Sequence, residues 1–223
     1  MTTTTTPADS TKALSPKAER TRALLVSSAR YVFNRDGLAD ARVSDIVKKS
    51  RVSHGTFYTY FTSKQDVFEH VIIEFFDEIR AAIDALSDGK SRTPYEAIHR
   101  ENLAYMNVLK ANARIVGLMQ VHSISNEDVV TQRHREESRY FMERAEKSIR
   151  AFQERGLAYR DIDTAYVSRA LGCMLEQFCI QWVTQGWEFE SEAAARQLTN
   201  VWARSLGLEV PSEASQDIRP LKV

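Results

Sequence analysis

The chain has 223 residues, enough to bury one sizeable core or two small ones. Only 8 Gly and 5 Pro are present, and apolar residues recur at helical spacing without alternating runs, which predicts an all-α protein and excludes a sheet-based fold. Its 30 basic and 30 acidic residues cancel overall, yet residues 1–64 hold 11 Lys or Arg against 5 Asp or Glu, and the remainder 19 against 25. A basic head on an acidic body is the asymmetry of a polyanion-binding domain joined to one with another task.

Residues 1–16 are Thr-rich and expected to be disordered. They lack the apolar core of a secretory signal, and no run approaches a membrane span, so a cytoplasmic protein with no membrane partner is expected. Pro16 can open a first long helix whose face is Leu25, Ala29, Val32 and Phe33. In the next helix Val43, Ile46 and Val47 share one face, and Ser50-Arg51-Val52-Ser53 interrupts it. A second short helix follows, with Phe57 and Phe61 on one side. Two helices this short must pack on neighbours, leaving a polar, aromatic and basic face outside. That is what a helix-turn-helix needs to read the major groove of duplex DNA.

The outward residues suit that task. His54 and Thr56 stand where base edges can be reached, and Gly55 lets the backbone approach closely. Ser53 begins the helix; Thr59 lies on its outer side. Tyr58 and Tyr60 carry hydroxyls on rigid rings, fit for phosphate contact, and Lys64 places a cation in the first turn of the next helix, an unfavourable position unless an anion lies nearby. Ser63 and Asp66 have capping-box spacing there. Singly, each has a bland alternative: a packed aromatic face, a solvated lysine, a surface histidine. The set at this spacing is specific.

On Phe33-Asn34-Arg35-Asp36-Gly37, the VSDIV helix and VSHGTFYTYFTSKQDVF, residues 20–70 resemble the DNA-binding domain of the TetR family of bacterial transcriptional regulators. The resemblance implies phosphate contacts from Tyr58, Tyr60 and Lys64, a place at the DNA surface for Thr56, and operator-dependent roles for His54 and Thr59. Two departures stand out. The family usually has glycine in the turn, where this chain has Arg51; a left-handed conformation there would cost a non-glycine residue about 1 kcal/mol. A Ser or Thr pair commonly precedes the first short helix, where Ala41-Arg42 stands, leaving Arg42 or Ser44 as substitutes for cap and phosphate contact.

Beyond residue 64 the periodicity predicts helices at about 64–86, 94–110, 112–124, 127–155, 162–185 and 191–206, with a frayed end. The expected boundaries are a disordered tail over 1–16, a helix-turn-helix domain over 17–64, a helical ligand-binding and dimerisation domain over 65–208, and a flexible tail over 209–223. The 162–185 helix is apolar almost all round, so it is buried on more than one side. One side is assigned to a homodimer seam with Leu171, Leu175, Trp182, Leu198, Val201 and Trp202; in the resembled family the last two long helices form such an interface. Cys173 and Cys179 lie about 240° apart around this helix and cannot pair within it; both are expected as buried, reduced thiols.

The middle helices mix large apolar and polar groups: Phe75, Phe76, Ile79, Met106, Met119, Phe141, Met174 and Phe178 with His99, Asn102 and His122. Any one is more often plain core, but the set fits a mostly apolar pocket with a few polar anchors, and the resembled family binds small ligands in this region. No cofactor is expected, and no metal, since His99, His122 and His134 lack site-like spacing. The sequence thus reads as a homodimeric, ligand-responsive repressor binding a palindromic double-stranded DNA operator and released by a small, mostly apolar effector. Two rivals stay open: a DNA-binding regulator controlled by a protein partner, and a small all-α enzyme using His99 or His122 as general base. No glycine-rich phosphate loop, nucleophile elbow or metal motif supports the enzyme.

Overall fold

The computed structural model describes residues 15–87, 91, 93–123 and 129–215. The expected tail through residue 14 and the chain from 216 lie outside the described residues. Those described form helices α1 (Pro16–Asp40), α2 (Val43–Ser50), α3 (His54–Tyr60), α4 (Lys64–Asp84), α5 (Pro94–Ala111), α6 (Ala113–Ser123), α7 (Val129–Glu154), α8 (Thr164–Gln185) and α9 (Ser191–Leu206), then a 3-10 turn over Ser212–Ser215. Among them no helix is long and apolar enough to cross a membrane. Two compact units divide between Phe68 and Glu69, four residues beyond the boundary expected at Lys64. α4 contributes its first residues to one unit and the rest to the other.

In the first unit Leu25, Val26, Ala29, Val32 and Phe33 of α1 bury against Ile46 and Val47 of α2, Phe57 of α3, Phe61, and Val67 and Phe68 of α4. Phe33 and Phe68 meet edge to face at 5.4 Å. Ser15 caps α1 by accepting from the Ala18 amide, and Pro16 occupies the first turn, where its missing N–H costs nothing. Gly37 sits at φ 81, ψ 172, breaking the helix near its end in a conformation that L side chains rarely adopt.

The second unit is a helical bundle in which α5 packs on α9, and α8 receives α5, α6 and α7. Ile98, Ile149, Leu171, Trp202 and Leu206 form part of its core. Buried polar groups on α5 and α9 satisfy one another. Tyr95 donates to the Asn200 side-chain oxygen at 2.8 Å, Asn200 donates to the Ala214 carbonyl at 3.0 Å, and Asn102 donates to Thr199 Oγ1 at 3.1 Å. Asp163 caps α8, and Gly186 and Gly207 end α8 and α9 in left-handed geometry. Charged groups join α4 to α7: Arg133 pairs with Asp77, Arg80 forks onto Glu137, and Tyr140 donates to Asp84.

Candidate nucleic-acid interface and ligand cavity

The turn before α3 is set by two local devices. Arg51 ends α2 at φ 56, ψ 34, the left-handed conformation reserved for glycine in the resembled family, with Val52 N–H bonding back to the Val47 carbonyl. Ser53 then starts α3 by accepting from the Thr56 amide at 3.0 Å. Its hydroxyl also meets that of Thr56 at 2.9 Å. Thr59 donates to the Gly55 carbonyl, while Phe57 anchors the helix inside. The outer face holds exposed His54, Gly55, Tyr58 and Thr59, with Thr56 and Tyr60 half-buried beside them. Tyr58 stands edge-on to the buried Phe57, which fixes its ring while leaving it 58% exposed.

Arg42 and Ser44 are exposed at the start of α2, and no side chain caps that helix. The loss of the family's Ser/Thr pair is therefore not repaired by Arg42. Lys64 has an intramolecular partner that the sequence did not reveal: its ammonium donates to the Ala39 carbonyl at 2.8 Å, where the end of α1 gathers negative charge. At the same helix start Ser63 accepts from the Asp66 amide, and Asp66 accepts from the amide and hydroxyl of Thr62. The expected capping box is present, with its return bond displaced by one residue.

The second unit holds a partly open cavity of about 120 Å³, whose walls come from α4, α5, α7, α8 and α9. Phe76, Ile79, Asn102 and Phe141, all expected in a pocket, line it. Phe75, Met106 and Met119 are buried elsewhere in the core, and Met174 packs into the core cluster; none of these lines the cavity. Phe178 stacks on Phe189 and meets Trp187. His99 pairs with Glu192 at 2.9 Å and borders a separate hollow with Tyr95, Arg196, Pro211 and Ala214. The His122 side chain lies outside the described residues.

Tyr105 and Met142, which helical spacing also marks among the large apolar groups of the middle helices, line it too, and Glu101, His134, Glu137, Arg144, Phe152, Gly172 and Glu176 are among the residues that complete the walls. The carboxylates are all paired. Glu137 takes Arg80 and Arg133, Glu101 takes Arg144, and Glu176 takes His134. The Glu137 hydrogen bond holds the Arg80 pKa above its ordinary value, and burial, with a smaller contribution from Glu176, lifts the Tyr105 phenol well above its own. Paired charges and a neutral phenol leave a cavity without a free charge of its own to seek a counter-ion.

The profile described as "Bacterial regulatory proteins, tetR family" matches residues 25–71, the segment that carries α2, α3 and the start of α4. An uncharacterised helix-turn-helix regulator of Bacillus subtilis, YdgC, is 36% identical over 70 residues, covering 31% of this chain and 36% of YdgC. The regulator UidR of Escherichia coli is 26% identical over 165 residues, 70% of this chain and 78% of UidR. The chain thus spans about a third of YdgC but most of UidR. The crystal structure of FadR from Bacillus subtilis in complex with stearoyl-CoA superposes with a TM-score of 0.66 at 15% identity, covering 81% of this chain and 96% of FadR. Residues 25–71 thus carry the DNA-binding domain of the TetR family. The chain resembles helix-turn-helix transcriptional regulators, and α2 and α3 lie within the matched segment.

The residues expected at the dimer seam fall in several surroundings. Leu171, Trp182, Leu198 and Trp202 are buried within the chain, Trp182 stacking on Phe189 at 4.9 Å. Leu175 and Trp202 line the cavity instead. Only Val201 is exposed, at 45%. Helical periodicity located the apolar faces of α8 and α9 but could not say which neighbours would take them. Cys179 is buried and its thiol is pushed up to about 12, chiefly by desolvation, whereas Cys173, expected inside, is exposed.

Proposed function

We propose that this chain is a homodimeric repressor of the TetR family that binds a palindromic operator and releases it when a small, mostly apolar molecule enters the cavity. The observation that carries the reading is α4. One continuous helix begins with Lys64, beside the recognition face, and supplies Phe76 and Ile79 to the cavity wall. An occupant pressing on Phe76 and Ile79 acts on the same helix that begins at Lys64. Half-sites on duplex DNA lie a fixed 34–36 Å or a multiple apart, so a modest change in head spacing abolishes simultaneous binding without unfolding either unit. The shift is bounded by the effector's differential affinity for the two states. The FadR complex with stearoyl-CoA supports an apolar effector in a chain of this fold.

The second copy is assigned to the outer faces of α8 and α9. Tyr166 (80% exposed), Ala170 and Cys173 form a stripe on α8, and Gln197 and Val201 one on α9. A two-fold contact there presents two α3 helices to the two halves of a palindrome. In this arrangement His54 and Thr56 read bases, with Gly55 and Thr59 alongside, while Arg42, Ser44, Ser53, Tyr58, Tyr60 and Lys64 position the backbone.

The test is recovery of the genomic fragments retained by the protein, followed by fluorescence anisotropy on the site they share. The expected result is a palindromic site bound by a dimer, with anisotropy lost on adding an apolar metabolite that also raises the melting temperature. A dimer that keeps its operator with the cavity demonstrably filled would overturn the effector arm. It would leave control by a protein partner.

A further inference from the structure

Building on the effector reading above, we infer that the cavity takes a neutral aromatic alcohol, a ring whose hydroxyl donates a hydrogen bond to Glu176 and accepts one from Tyr105.

The two side chains share one end of the cavity. Phe76 is the first lining residue of α4 and His134 the first of α7, while Tyr105 is the last of α5 and Glu176 the last of α8. Their contacts place all four together. The Phe76 and His134 rings lie 5.9 Å apart, His134 pairs with Glu176, and the Glu176 carboxylate acts electrostatically on the Tyr105 phenol.

Hydrogen-bonding capacity is left over at this end. Tyr105 is half-buried, and its hydroxyl has no hydrogen-bond partner among the described residues. That hydroxyl is not sealed inside the chain as Trp202 Nε1 is, so a group in the cavity can reach it. Burial, with a smaller contribution from Glu176, keeps the phenol protonated and therefore a donor. Glu176 is 25% exposed and engages His134 through Oε1, which leaves the lone pairs of Oε2 to accept from an occupant. A hydroxyl accepts from the one and donates to the other at a single atom.

Charge disfavours the other end groups. The lining carries three carboxylates, Glu101, Glu137 and Glu176, against one guanidinium, Arg144. An acid would bring a further negative charge among them in a partly desolvated space. Each carboxylate already holds a guanidinium or an imidazole, so an ammonium ion finds no vacant partner. A ketone would satisfy Tyr105 but turn a bare carbonyl oxygen toward Glu176.

The ring follows from the walls. Phe76, Tyr105 and His134 frame the polar end, and Phe141 and Phe152 continue along α7. Contacts between rings are worth more than their buried area alone. Phe76 belongs to α4, so a ring seated here bears on the helix that begins at Lys64.

The experiment is isothermal titration calorimetry of the full-length protein at neutral pH with β-naphthol and with naphthalenes carrying a methyl, methyl ketone, carboxylate or aminomethyl group in its place. Operator release is followed in parallel by anisotropy. The wild type should bind naphthol about tenfold or more tighter than methylnaphthalene, and the ketone, acid and amine no more tightly than methylnaphthalene. Tyr105→Phe should weaken naphthol about fivefold to tenfold and leave methylnaphthalene unchanged. Glu176→Gln should weaken naphthol and tighten the acid, since it removes a negative charge from the wall. Equal weakening of naphthol and methylnaphthalene by Tyr105→Phe would show lost packing and overturn the hydroxyl assignment. So would a wild type that binds the ketone, acid or amine as tightly as naphthol; if that compound also releases the operator, the effector cavity stands. If none of the series binds, this inference falls, and the effector reading is decided separately by the melting-temperature test with apolar metabolites.

Discussion

Arg51→Gly separates folding from recognition at a single position. Arg51 ends α2 at φ 56, ψ 34, where an L side chain costs about 1–2 kcal/mol. Glycine removes that strain but gains roughly 0.5–1 kcal/mol of unfolded-chain entropy. The net expectation is a stabilisation of about 0.5–1 kcal/mol. If the first unit melts by itself, that is several degrees, since about 4–8 °C accompanies each kcal/mol for a domain of this size; melting with the whole chain halves the shift. The opposite effect is expected on DNA. Arg51 is exposed beside α3, and a guanidinium that meets a phosphate adds about one unit to the slope of log K against log salt. Arg51→Gly should therefore melt higher and bind all sequences more weakly, with a slope shallower by about 1. Arg51→Asn, which tolerates left-handed geometry without the charge, should match it on DNA. Calorimetry and anisotropy from 50 to 200 mM salt measure both. A lower melting temperature would refute the strain argument, and an unchanged slope would remove Arg51 from the interface.

Lys64→Ala should also reduce the salt slope by about 1 on every sequence, with a small fall in stability from the lost bond to Ala39; Thr56→Ala or His54→Ala should instead change which operator variant is preferred. If neither alters the preference in a binding-site selection, the reading face is misassigned. Val201→Glu should give a helical monomer by sedimentation that no longer holds the operator, whereas Trp182→Glu, which buries a charge in the chain's own core, should lower the melting temperature sharply instead. A Val201→Glu protein that remains dimeric places the seam elsewhere. Thiol reagents should leave Cys179 unlabelled at pH 8, because burial keeps it protonated until the pH nears about 12, while Cys173 should label slowly in the dimer and fast in the Val201→Glu monomer; rapid labelling of Cys179 in the folded protein would contradict its burial. Glu137→Gln should destabilise by roughly 2 kcal/mol in chemical denaturation, because Arg80 and Arg133 lose a buried partner yet keep access to water; no change would mean the ion pair offsets only its own desolvation.

What the sequence determined by itself is largely local. The helices stand within one or two residues of their expected bounds, because caps at Ser15, Ser53, Thr93 and Asp163 and stops at Gly186 and Gly207 act through neighbours in the chain. The helix-turn-helix geometry was legible for the same reason: α2, α3 and their turn lie within eighteen consecutive residues, so spacing along the chain nearly equals spacing in space. The Lys64 bond to Ala39, across 25 residues, escaped. The body is different. Its cavity draws on five helices, and a helix apolar on several sides, as α8 is, carries no mark of which side meets a neighbour, a ligand or a second copy. Tertiary packing made those assignments: Trp182 and Leu171 went to the core, Leu175 and Trp202 to the cavity wall, and Val201 to the surface. Burial energy follows apolar area and is indifferent to the partner that covers it, so periodicity can count the faces to be covered but only the assembled bundle decides what covers them.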